Sequence, residues 1–211
     1  MSPTPFPTCL DGVAGVRFEA AVDTAIDEIN PDTSDASDYI LDVVTDYDYD
    51  YDGILLDRQA LIKFPEVATI PAGSTITNAV LYVTRFGGND GTAPINFHRM
   101  ITPWSDTVTW NSGFGGNGIS TDNVEAVATA SFSISATEAE GDYYDYRDFG
   151  PQEDRRSCLD ATADVEAWVN GGVANEGWVI INPDDNDWDL NSVENPYVEF
   201  RPILIVEFTP P

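Results

Sequence analysis

The sharpest local pattern in the chain is Asp48-x-Asp50-x-Asp52-Gly53, three carboxylates at alternate positions ahead of a glycine. Hard cations such as Ca²⁺ take about six to eight oxygen ligands, and alternate carboxylates on a loop curled by glycine can converge on one ion. The pattern is the opening half of an EF-hand-type loop. The position of the closing glutamate holds Gln59, and the flanks read as strand, so a complete EF-hand is excluded. Calcium held with help from Asp46 or Asp57, and a solvated acidic loop, are the two readings of this segment. A second candidate set is Asp184, Asp185, Asn186, Asp187 and Asp189. Tyr47, Tyr49, Tyr51, Tyr143, Tyr144, Tyr146 and Trp188 lie among these and neighbouring acids. Aromatic faces beside carboxylates suit sugar rings, and they suit protein contacts equally well.

Catalytic patterns are weak. The only histidine, His98, sits in the alternating run Asn96-Phe97-His98-Arg99 with no nucleophile motif beside it. Any single pair among 37 acids is uninformative as a glycosidase dyad. Gly113-Phe114-Gly115-Gly116-Asn117-Gly118 lacks the following helix that a phosphate loop needs. The expectation is a non-enzyme. The two cysteines, Cys9 and Cys158, are too few for a thiolate metal site. A disulfide tying the N-terminal arm to the body and two inert thiols both remain open.

The elements that must carry these residues are short β-type runs bounded by turn residues. They are Val13–Ala20, Tyr39–Val44, Gln59–Phe64, Thr77–Arg85, Pro94–Arg99, Val127–Ile134, Gly177–Ile181 and Val198–Phe208. One segment departs from them. Ala161–Asn170 places Val165, Trp168 and Val169 at helical spacing and stops at Gly171-Gly172, which predicts a single short helix. Long acidic loops are expected at Asp42–Asp57, Glu138–Asp154 and Asn182–Asp189. The pattern predicts an all-β protein, a jelly-roll β-sandwich with one short helix and long acidic loops. An extended arm, residues 1–12, precedes a single domain at 13–211.

Composition narrows the partners. The chain has 211 residues, 25 Asp and 12 Glu against eight Arg and one Lys, for a formal charge of −28. Phosphate neutralisation needs a basic face, so nucleic acid is excluded. Docking on an anionic membrane needs Lys/Arg clusters, and insertion needs about 18 consecutive apolar residues; neither is present. A hydrophobic content of 42% and an aromatic content of 11% provide for a core and argue against disorder. The N-terminus MSPTPFPTCLDG has neither a basic n-region nor an apolar h-region, so no signal peptide is expected in this sequence.

Several segments, in order, resemble the DNRLRE-domain family, which includes carbohydrate-binding module family 96. Arg58-Gln59-Ala60-Leu61-Ile62-Lys63-Phe64, then Ile70-Pro71-Ala72-Gly73 through Leu81-Tyr82, is similar to that family's paired strands. Trp104-Ser105-Asp106-Thr107-Val108-Thr109-Trp110-Asn111 is similar to its tryptophan signature. Asp160 to Trp168 with Gly171, Asn175 and Gly177 resembles its helix block, and Ser192-Val193-Glu194 with Arg201-Pro202-Ile203-Leu204 its closing pattern. The resemblance implies a jelly-roll sandwich that is usually non-catalytic and binds polysaccharide. In physical terms, Trp104, Trp110, Trp168 and Trp178 are expected in the core. Arg58 and Arg201 are expected to pair with Asp160, Asp164 and Glu194. The functional expectation is a surface-exposed binding or adhesion module, carbohydrate-binding and calcium-stabilised, in an extracellular or virion setting. The alternative is a structural assembly protein, a virion decoration or filament subunit, joined to other proteins or to copies of itself through the N-terminal arm.

Overall fold

The computed structural model describes residues 14–19, 21–47, 56–87, 94–134, 156–183 and 187–211. Among the described residues, eleven strands carry the fold. They are β1 (Val16–Phe18), β2 (Val22–Asp27), β3 (Ile40–Tyr47), β4 (Leu56–Lys63), β5 (Thr75–Gly87) and β6 (Ile95–Arg99), followed by β7 (Phe132–Ile134), β8 (Arg156–Asp160), β9 (Trp178–Ile181), β10 (Asp187–Asn191) and β11 (Ile203–Thr209). Helix α1 (Thr162–Val169) lies between β8 and β9. Every ladder is antiparallel, and the strand order is β1-β11-β5-β10-β3-β4-β9-β6-β7, with β2 beside β4 and β8 beside β5.

Strand β5 organises this arrangement. Its β-branched and aromatic run pairs with β11 over Thr75–Tyr82 and with β8 over Val80–Thr84, and its last residues, Arg85 and Gly87, meet β10. The sheet folds over so that its two ends bury one core. Leu81, Val83, Leu159, Leu204 and Val206 from the β5 side share it with Ile62, Phe97, Trp178 and Ile180 from the β4 side. This is an all-β, sandwich-like fold.

A second apolar cluster explains the tryptophan signature. Residues 100–126 lay Met100, Trp104, Val108, Trp110, Phe114 and Ile119 over Ile26, Leu61 and Val179 of β2, β4 and β9. Polar clamps hold this cover in place. Lys63 Nζ donates to the Trp104 carbonyl at 2.5 Å, and Trp104 Nε1 donates to the Glu176 carbonyl at 2.7 Å. The side chain of Gln59 brackets the Ile119 backbone, accepting its N–H at 2.7 Å and donating to its carbonyl at 3.2 Å. All four signature tryptophans are buried, as the sequence suggests.

Helix α1 forms where expected and buries Val165 and Trp168. Its Asp164 accepts Trp178 Nε1 at 2.6 Å and pairs with Arg99 at 3.2 Å. The ion pairs therefore differ from expectation. Arg58 pairs with Asp27 and Asp42, Arg201 donates to the Asn195 carbonyl at 2.7 Å, and Asp160 accepts the Thr162 N–H at 3.0 Å. Asp160 thus serves the entry of α1, where N–H groups lack intrahelical partners.

Some boundaries also differ. The runs at 13–20 and 127–134 shrink to the three-residue edge strands β1 and β7, and Val198–Phe200 is a 3₁₀ turn ahead of β11. Strands β2, β8 and β10 form where the acidic or sparse apolar pattern gave no strand expectation. The Asn182–Asp189 segment was expected to be a loop through its whole length, yet it ends inside β10.

Candidate metal centre

Two short alternating segments create the site. In β3, Leu41 and Val43 are buried on either side of Asp42; in β10, Trp188 and Leu190 alternate with Asp187 and Asp189. Strand alternation puts Leu41, Val43, Trp188 and Leu190 on one face of the ladder, where they join the core. The three aspartates share the opposite face. The register sets Asp189 directly across from Asp42, with Asp187 one side-chain step along the strand.

One oxygen from each of Asp42, Asp187 and Asp189 lies within 4.8 Å of the other two. Ligand atoms about 2.4 Å from a shared Ca²⁺ are at most about 4.8 Å from one another, so the spacing fits convergence on one ion. Like charges placed directly across a ladder are destabilising, by about 0.2–1 kcal/mol. The Oδ1 atoms of Asp42 and Asp187 are buried with no hydrogen-bond partner. Unpaired buried carboxylate oxygens call for a proton or a cation.

Two arginines answer part of the charge. Arg58 Nη1 donates to Asp42 Oδ2, and its Nη2 lies 3.2 Å from Asp27 Oδ2. Arg85 lies 4.3 Å over the Trp188 ring and favours the ionised form of Asp189. Carboxylates outnumber guanidiniums here: Asp27, Asp42, Asp187 and Asp189, with Asp38 adding to the field at Asp189, face Arg58 and Arg85, so full ionisation leaves an excess of negative charge. Burial, then Asp189 and Asp42, push the Asp187 carboxyl up to about 9. Burial and Asp42 push Asp189 up to about 7 against the pull of Arg85 and Arg58. Gly87, opposite Asp189, leaves the space this carboxylate uses: a Cβ there would stand 2.9 Å from Asp189 Oδ2.

The expected metal residues divide as follows. Asp187 and Asp189 are brought together, and they are completed by Asp42, which the sequence reading did not select. Asp57 is the second residue of β4, where its carbonyl accepts the Glu28 N–H at 3.1 Å, and it is not one of the converging carboxylates. Asp48, Asp50, Asp52, Asp184 and Asp185, and the side chain of Asp46, lie outside the described residues. The same holds for Tyr49, Tyr51, Tyr143 and Tyr144 and for the side chain of Tyr47. Trp188 is corrected: expected to be a ligand-binding aromatic on an acidic loop, for a sugar or a protein, it is fully buried, because alternation in β10 turns it into the core. Cys158 is disulfide-bonded, and Cys9, the other cysteine of the sequence, lies outside the described residues.

The signal for Asp42 was present in the sequence. Leu-Asp-Val and Asp-Trp-Asp-Leu are complementary alternations, and pairing them places acid against acid. No family model matches the chain, and no curated protein matches it. No helix of the described residues is long and apolar enough to cross a membrane.

Proposed function

We propose that this chain is a non-catalytic extracellular binding module that holds a hard divalent cation of the calcium class at Asp42, Asp187 and Asp189 and recognises polysaccharide. One observation carries the cation part of the reading: two of these three converging carboxylates present buried oxygens with no hydrogen-bond partner. An all-oxygen donor set of carboxylates suits Ca²⁺ and disfavours the softer metals that select nitrogen or sulfur. A cation there would offset the excess charge of the cluster and cross-link β3 to β10.

Other features support the module reading. The disulfide at Cys158 suits an oxidising compartment. His98 is buried with Nδ1 facing the Val127 carbonyl at 2.9 Å, a structural placement for the only histidine. The order of the tryptophan and helix motifs resembles polysaccharide-binding domains.

Affinity electrophoresis through gels containing neutral or acidic polysaccharides, run with calcium and with chelator, tests the reading. Retardation that appears in calcium and disappears in chelator is the expected outcome. Retardation indifferent to chelator would detach sugar binding from the cation. No retardation on any gel, together with a defined multimer in sedimentation, would replace the glycan reading with the assembly role.

A further inference from the structure

Away from the metal centre, a second carboxyl is more deeply buried. Asp23, on β2, is 3% exposed and sits across from Ile62 of β4. Its Oδ2 accepts the Val193 N–H at 2.9 Å, in the turn that follows β10. Its Oδ1 is buried with no hydrogen-bond partner. Glu194, an exposed residue of the same turn, adds a like charge nearby.

This turn is a junction. Ser192 donates its N–H to the Tyr39 carbonyl at 3.1 Å and its hydroxyl to the Asp38 carbonyl at 2.6 Å. Asn195 donates to Asn191 Oδ1 at 2.5 Å, and its carbonyl receives Arg201 Nε at 2.7 Å. The contact between Asp23 and Val193 adds β2 to this set, so the turn gathers β2, β3, β10 and the approach to β11.

The charged neighbours of Asp23 leave its carboxyl unneutralised. Glu194 faces it from the turn with the same sign. Lys63, beside Ile62 on β4, is committed to the Trp104 carbonyl and to Glu176 at 3.3 Å. Asp38 has its carboxylate on the Ile40 N–H at 3.3 Å. A carboxyl buried with a single N–H donor, no cation and a like charge nearby favours its protonated form, because burial penalises the ionised one.

We propose that Asp23 holds a proton and forms a proton-dependent clasp on the turn after β10, which loosens as that proton becomes harder to hold. Burial is the main cause; the Val193 N–H opposes it and Glu194 adds to it, and the net effect pushes Asp23 up to about 8 from an ordinary 3.8. The sign follows from proton counting. Between those two values the closed state holds a proton that the opened state has released, so closure weakens as pH rises, by up to about tenfold per pH unit. Below about 4 both states are protonated, and above about 8 both are ionised, so the dependence flattens at each end.

The test is a carboxyl-carbon NMR titration of Asp23 together with amide exchange at Val193. It is run in chelator, so that its outcome is independent of the metal centre. In wild type the Asp23 carbon is expected to titrate on the alkaline side of neutrality. The Val193 protection factor is expected to fall by at least about tenfold between about pH 5 and about pH 8. Asp23→Asn keeps an acceptor for Val193 and removes the proton, so its protection should change less than about twofold over that range. Glu194→Gln should move the Asp23 midpoint to lower pH. Titration of Asp23 in the ordinary carboxylate range, or equal pH slopes in wild type and Asp23→Asn, would overturn the clasp. If Asp23→Asn does not fold, the wild-type titration and the exposed Glu194→Gln variant still decide it.

Discussion

At the scale of single residues, the ladder between Asp42 and Asp189 sets up a substitution whose sign depends on the solution. Asp187→Asn removes a buried carboxyl that must either hold a proton or face Asp42 and Asp189 as a like charge. In chelator it should raise unfolding stability, by about 1 kcal/mol or more near neutral pH, because the folded state no longer has to keep a buried carboxyl protonated. With saturating calcium the order reverses, since a ligand is gone; an affinity loss of at least about tenfold corresponds to about 1.4 kcal/mol. Urea unfolding of both proteins with calcium and with chelator reads the crossing directly, and parallel curves in the two solutions would count against the site. The sequence makes Asp187 and Asp189 conspicuous because acids cluster there. Asp42 escapes notice because it is a lone acid in an apolar strand, and only the pairing register of two distant segments gives it partners. Trp188 misleads for the complementary reason: its acidic neighbours suggest solvent, but they share the strand face opposite to it.

At the scale of elements, the glycine across from β10 tests how far geometry controls the site. An alanine methyl at Gly87 would approach Asp189 Oδ2, the free end of a flexible side chain, so the carboxylate can swing away at little cost to the strand. Gly87→Ala should keep the chelator-state melting temperature within about 2 °C and weaken calcium affinity several-fold, about 1 kcal/mol. Gly177→Ala is the contrast. Its φ is +66° and the new Cβ would lie 2.0 Å from the Ile62 carbonyl, so it should cost several kcal/mol through the β4–β9 ladder, about 3 by analogy with other backbone strain. Thermal melts of the two variants with and without calcium separate site from scaffold. The strands that were legible carry buried apolar runs, Ala60-Leu61-Ile62 in β4 and β-branched stretches in β5 and β11. Strand β2, Val-Asp-Thr-Ala-Ile-Asp, and strand β10, Asp-Trp-Asp-Leu-Asn, obey the same period of two, with acids at the polar beats. Acid density hides that period, because aspartate is usual in turns and scarce in strands.

At the scale of the whole molecule, the formal charge of −28 makes self-repulsion a standing cost that salt and cations relieve by different routes. Sodium chloride screens all charges, with a Debye length of about 8 Å at about 0.15 M, and should raise stability gradually without saturation. Calcium acting at the β3–β10 ladder should saturate, and should act beyond what the same ionic strength of sodium provides. Magnesium is a weaker fit, because it demands near-octahedral geometry and holds its waters. The fold follows from the chain's apolar alternation, and the acid excess is partly organised: four aspartates gather around two arginines instead of dispersing over the surface. The central claim is that this organisation exists for a cation. Calorimetric titration of metal-stripped protein with calcium at about 0.15 M sodium chloride, set beside the Asp42→Asn/Asp187→Asn double variant, tests it most directly. Saturable binding in wild type, weakened by at least about a hundredfold in the variant, is the predicted result. Absence of saturable heat in wild type, or equal binding in both proteins, would contradict it.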